Sequence, residues 1–169
     1  MLNGSHGAWH SRFNLLHSLL AIHVSAMTSP AEGAAQWEVI TPYVLEARVI
    51  NRILSSTDLG ERVGCSTIHR FQGSERTAII MDIADSRGTR RLSQMVQGGH
   101  WSLAMRLLNV AISRARDKSV IIAIRRWLRD HLSHHSLLYQ VIETIPPISV
   151  AELGPYLSVA FALWNLISG

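Results

Sequence analysis

Residues 64–82 read GCSTIHRFQGSERTAIIMD, and this stretch decides the fold. Its far end runs on to Ile83 as TAIIMDI, apolar almost throughout. Such a run suits a parallel strand covered on both faces, because a strand with one wet face would alternate apolar and polar residues. Residues 63–67 carry a second strand pattern, and the polar stretch around Gly73 separates the two. Outward from there, SVIIAI at residues 119–124 reads as another buried strand and EVIT at residues 38–41 as a short β-branched one. Helical patterns fall between them. Strands alternating with helices predict an α/β protein with a doubly wound, mostly parallel sheet.

The helices follow from apolar spacing. Thr41–Pro42 is a helix start: Thr caps free amides, and Pro suits the first helical position because it lacks an N–H. The helix that follows places Tyr43, Ala47, Ile50 and Leu54 on one side and leaves Asn51, Arg52 and Ser55 to solvent. Residues 103–115 form a helix with Ala104, Leu107, Leu108, Ala111, Ile112 and Ala115 on an apolar stripe, and residues 125–139 another. Near the N-terminus, Phe13, Leu16, Leu20 and Val24 mark the buried face of a helix over residues 9–26. Residues 28–33 read as a connector and 86–99 as a polar loop. The expected organisation is an N-terminal helical segment and connector (1–33), the α/β domain (34–140) and an apolar tail packed as a helix (141–169).

Composition narrows the function classes. A chain of 169 residues, 47% apolar, can bury one sizeable core. Its net charge of +4 permits a polyanionic partner without demanding one. The single Cys65 excludes an internal disulfide and fits a reducing compartment, so the expected location is cytoplasmic, or nuclear in a eukaryote. The charge-free stretch 153–169 falls short of the roughly 20 apolar residues that span a bilayer, which argues against membrane insertion. His131, His134 and His135 have a ligand-like spacing, but a hydrated helix face explains them better, and no metal site is expected.

Ligands of open parallel sheets gather beyond the carboxyl ends of the strands, where Pro42–Tyr43 and residues 66–73 lie. His69, Arg70, Gln72, Ser74 and Glu75 crowd polar groups around Gly73, a composition shared by ligand loops and plain turns. Arg114 falls in line with Leu107 and Ala111 at the end of its helix. Two readings are open: a guanidinium aimed across a cleft at phosphate oxygens, or a cation stabilising the helix end.

Three segments also resemble motifs of superfamily-one helicases, in the family's order. VITPYVLEARVI (39–50) resembles motif IV, residues 64–82 with FQGSE resemble motif V, and LNVAISRAR (108–116) resembles motif VI. The branch it most resembles is the one that includes the nonsense-mediated-decay helicase and its DNA-processing relatives. The resemblance implies a second RecA-like domain that binds single-stranded DNA or RNA and completes an ATP site. It implies Arg114 as the arginine finger, Arg116 as its support, and Tyr43, Gln72, Gly73 and Glu75 around the nucleotide. Ser66 and Thr67 then contact the strand backbone.

The chain departs from the family in places. Glu46 stands where the family usually has Gln, which replaces a neutral donor and acceptor with an acceptor-only carboxylate. Ile112–Ser113 replaces Leu-Thr, and the polar stretch between motifs V and VI is long. No GxxxxGK(S/T) loop occurs, and no paired acids for Mg²⁺ are expected. ATP and its Mg²⁺ therefore need a first RecA-like domain, in cis or in trans, and the chain alone is expected not to hydrolyse ATP. The alternative is a non-enzymatic interaction module on a helicase-derived fold.

Overall fold

The computed structural model describes residues 13–28, 36–71, 74–84, 109 and 112–148. Four strands form one all-parallel sheet: β1 (Trp37–Thr41), β2 (Val63–Thr67), β3 (Arg76–Asp82) and β4 (Ala115–Ile122). Their order is β2-β1-β3-β4. Helices α1 (Leu15–Thr28) and α2 (Val44–Leu54) precede and follow β1, and α3 (Arg125–His131) and α4 (Leu137–Thr144) follow β4. The expected α/β sheet is present.

Period-two alternation along the strands divides the core in two. Trp37, Val39, Val63, Cys65, Ala78, Ile80 and Ile122 face the side that Ala21, Val24, Ala47, Ile50 and Leu54 of α1 and α2 cover. Ile40, Ile79 and Met81 face the other side, against Trp127, Leu128, Leu138 and Ile142 of α3 and α4. Helices on both faces explain why β1 is buried at every position and β3 from Ala78 onward. Because α4 contributes Leu138 and Ile142 to this core, the packing runs through residue 140.

Several boundaries differ from the sequence expectation. The inner face of α1 is His17, Ser18, Ala21, Val24 and Ser25, while Phe13 and Leu16 are 51% and 58% exposed. Apolar periodicity missed this rotation because His17 and Ser18 bond to buried carboxylates, which makes two polar residues core residues. Thr41 ends β1, so Tyr43 takes the N-cap position of α2 with no side-chain cap bond. The helix expected over 125–139 is two: Leu132 is extended, and the Ser136 side chain restarts the helix by accepting from the Tyr139 N–H at 3.1 Å. Strand β4 begins at Ala115, four residues before its apolar run, because it pairs with β3 from Arg76 onward. Backbone pairing there ends the helical pattern expected to reach Ala115. Most of that pattern and the tail from residue 149 lie outside the described residues.

Candidate functional site

The parallel register sets Glu75 beside Arg114. Arg76 pairs with Ala115, and the Arg76 N–H donates to the Arg114 carbonyl at 3.1 Å, so the residues that enter β3 and β4 are neighbours. One Glu75 oxygen lies 3.7 Å from Arg114 Nη1 and the other 3.4 Å from Arg116 Nε. All three side chains are more than a third exposed, which limits each pair to less than about 1 kcal/mol. Within this set the Arg114 Nε–H is buried and donates to no partner, so the guanidinium is only loosely held. Two guanidiniums on one weakly bound carboxylate are a donor set that fits a polyphosphate, which offers more oxygens and more charge than Glu75 does.

The carboxyl ends of β1 and β2 carry the other expected site residues. The register Ile40 to Ser66 and Thr41 to Thr67 sets them side by side. The Ser66 hydroxyl donates to the buried carboxylate of Glu38, which also accepts from Arg76 Nε at 3.3 Å. A Cβ on Gly64 would come within 2.9 Å of Glu38 Oε2, so the absent side chain makes room for that carboxylate. The Thr67 carbonyl accepts from the N–H groups of Arg70 and Phe71, which turns the chain and leaves His69 and Arg70 exposed. Tyr43 is 2% exposed, so its ring belongs to the protein interior. Gln72 and Gly73 lie outside the described residues.

The expected residues thus divide between opposite ends of the sheet. Glu75, Arg114 and Arg116 flank the amino ends of β3 and β4, whereas Ser66 and Thr67 close β2 at its carboxyl end. Seven residues of β3 at about 3.3 Å each separate the two ends by roughly 23 Å. Only the second group lies where ligands of parallel sheets usually gather. The first group's position is set by which residues enter β3 and β4.

Beneath the carboxyl end sits a cluster that sequence reasoning missed. Glu46 and Asp82 are fully buried, with His17 and Ser18 against them. Glu46 Oε1 accepts from Ser18 Oγ at 2.6 Å and Oε2 from the Asn14 N–H at 2.6 Å. Asp82 Oδ1 lies 2.9 Å from His17 Nδ1. Burial first, and then the neighbouring Asp82, push the Glu46 carboxyl up to about 8. Burial also holds the Cys65 thiol well above its ordinary range, with further upward pushes from Glu38, Asp82 and Glu46. The available signal was one acid in the otherwise apolar TAIIMDI run and another on the core face of α2.

The arginines after β4 are not simply solvated. Arg125, Arg126 and Arg129 line an open cleft of about 690 Å³ with Asp130, His134 and Tyr139. Arg125 and Arg129 both pair with Glu143, at 3.5 and 3.1 Å. His131 stacks on Trp127 and His134 on Tyr139, so these histidines are engaged by rings. Among the described residues no group of three or more His, Cys, Asp or Glu side chains is arranged to hold a metal ion, and no helix is long and apolar enough to cross a membrane.

Comparison with known proteins adds an independent line. The sequence model of the AAA domain family matches residues 11–126. The chain is 29% identical over 104 residues to the DNA replication ATP-dependent helicase/nuclease DNA2 of Bos taurus, covering 62% of this chain and 9% of that protein. It is 27% identical over 111 residues to the DNA replication ATP-dependent helicase/nuclease JHS1 of Arabidopsis thaliana, covering 66% and 8%. It is 25% identical over 113 residues to the DNA-binding protein SMUBP-2 of Mesocricetus auratus, covering 67% and 10%. The matched region is thus a tenth or less of each relative's length.

Proposed function

The chain belongs to the AAA domain family as a C-terminal domain of superfamily-one helicases, and from that membership we propose that it supplies the second half of an ATP-dependent motor. The observation that carries this reading is the pair of guanidiniums on Glu75 at the amino ends of β3 and β4. Arg114 is the finger that meets charge developing on the γ-phosphate, and Arg116 supports it; Glu75, Gln72 and Gly73 line the nucleotide. ATP supplies the transferable phosphoryl group, and this chain's own residues orient it and stabilise its charge. The sequence holds no GxxxxGK(S/T) loop, so the phosphate cradle and Mg²⁺ ligands come from a first RecA-like domain, in cis or in trans. Ser66 and Thr67, about 23 Å away across the sheet, meet a single strand of DNA or RNA.

Reconstitution tests this. The isolated chain should release no phosphate from ATP with single-stranded nucleic acid present. Supplying a matching first RecA-like domain, by mixing or by fusion before Met1, should restore turnover. Arg114→Ala should then lower that turnover by about 10³, and Arg114→Lys should fail as well because an ammonium lacks the planar fork. Reconstituted activity that survives Arg114→Ala within about twofold overturns the finger role.

A second reading, a non-enzymatic interaction module on the same fold, draws support from two placements. Tyr43 is buried and the Ser66 hydroxyl is engaged by Glu38, so neither presents a free polar group toward a ligand. Absence of turnover in every reconstitution, with the fold intact, favours this module.

A further inference from the structure

We infer that Glu46 and Asp82 hold one proton between them and that this proton fastens α1 to the sheet. Among the described residues, the Asn14 N–H, His17 and Ser18, on α1 and the turn before it, reach across to the rest of the domain and bond to these two carboxyls.

The proton follows from hydrogen-bond bookkeeping at full burial. Asp82 Oδ2 is buried without a partner when both acids are acceptors only. Glu46 already accepts at both of its oxygens, from Ser18 and from Asn14. A proton on the Glu46 carboxyl gives the pair a donor, and the neighbouring Asp82, with its unpartnered Oδ2, is the acceptor that can use it. Two ionised carboxyls side by side at full burial would lose hydration and repel each other, which one shared proton avoids. The amide of Gln could do the same if its oxygen kept the Asn14 N–H and its NH2 donated to Asp82 and to Ser18 Oγ, whose own proton goes to the Asn14 carbonyl.

Among the described residues, the groups around the pair offer one possible positive charge. From α1 come His17 and Ser18, and of these only His17 can carry positive charge. On β1, Thr41 is buried, and the Glu38 carboxylate is engaged on the far face by Ser66 and Arg76. From β2 comes the Cys65 thiol, which burial keeps protonated. From β4 comes the apolar Ile122, paired with Asp82 in register. Proton loss therefore leaves two negative charges against one imidazole.

The sign of the effect is set by linkage. Burial under α1 pushes the Glu46 carboxyl from its ordinary 4.5 up to about 8, and undocking α1 into water lets it fall back toward that ordinary value. A group raised in the docked state gives docking that is strongest at low pH and weakens as pH rises through this interval. Above about 8 both states are ionised and the loss levels off.

Amide hydrogen exchange on the full chain, corrected for intrinsic rates, tests this. Protection of residues 15–28 relative to β3 should fall by up to about tenfold per pH unit between roughly pH 6 and 8, then level off. In Glu46→Gln, which carries its own donor, that relative protection should stay flat. A wild-type change smaller than about twofold over this range, or the same fall in Glu46→Gln, overturns the inference. Carbon-detected NMR of the wild-type side chain reads the proton directly and does not depend on the variant. A Glu46 midpoint well above that of the surface glutamates supports the shared proton, and a midpoint among them overturns it.

Discussion

The side-chain amide of Asn51 closes on both backbone groups of Cys65. Its Nδ2 donates to the Cys65 carbonyl at 2.7 Å, and its Oδ1 accepts from the Cys65 N–H at 3.2 Å. Strand β2 is an edge of the described sheet, so one helix side chain stands where a further strand would pair. Asn51→Ala should lower stability by about 1–2 kcal/mol, less than for a deeply buried loss because water reaches the freed groups. Urea unfolding should show a lower midpoint with an unchanged slope. An unaltered midpoint would mean the pairing adds nothing net.

Global stability should depend on pH through Glu46. The group is raised to about 8 when folded, so its contribution is greatest below about 4.5 and is lost as pH rises toward 8. Glu46→Gln should match the wild type near pH 5 and exceed it in melting temperature at pH 8 and above. Parallel melting curves for the two proteins across this range would count against the assignment.

Cys65 should resist alkylation in the native protein. Its thiol is buried and held above its usual range, and the thiolate is the reactive form. Iodoacetamide at pH 8 should modify it at least about a hundredfold more slowly than a free thiol, and at full rate in urea. Rapid native labelling would show that the α2 side of the sheet opens readily.

Single-stranded DNA or RNA should bind the isolated chain weakly, no tighter than about micromolar, with affinity falling steeply as salt rises. The expected contacts are Ser66 and Thr67 with the exposed Arg70 and the arginines lining the cleft after β4. Fluorescence anisotropy across a salt series measures this. Salt-independent binding, or none at low salt, favours the interaction module.

The strands were legible because each carries an apolar run whose burial leaves little alternative, as in TAIIMDI. The resemblance to helicase motifs pointed to Arg114, Arg116 and Glu75, and the fold brings these three together. Their place at the amino ends was not legible, because it depends on the register of β3 against β4. The face of α1 was misread for a related reason: apolar counting cannot see that His17 and Ser18 have buried acids waiting for them. Likewise Asn51 looks solvent-facing by periodicity, and its role depends on which backbone lies beside it.

Strand β1 is synthesised first among the described strands and ends with partners on both sides, β2 and then β3. Its β3 partner arrives only after β2 has been made, and parallel pairing allows no short hairpin to hold the place. A chain released or cleaved between residues 67 and 76 would therefore present the unpaired backbone edge of β1 as an open template. Slow, non-local pairing of this kind is where growing chains aggregate. The gap between β2 and β3 is thus the stretch in which an interrupted chain leaves β1 half paired.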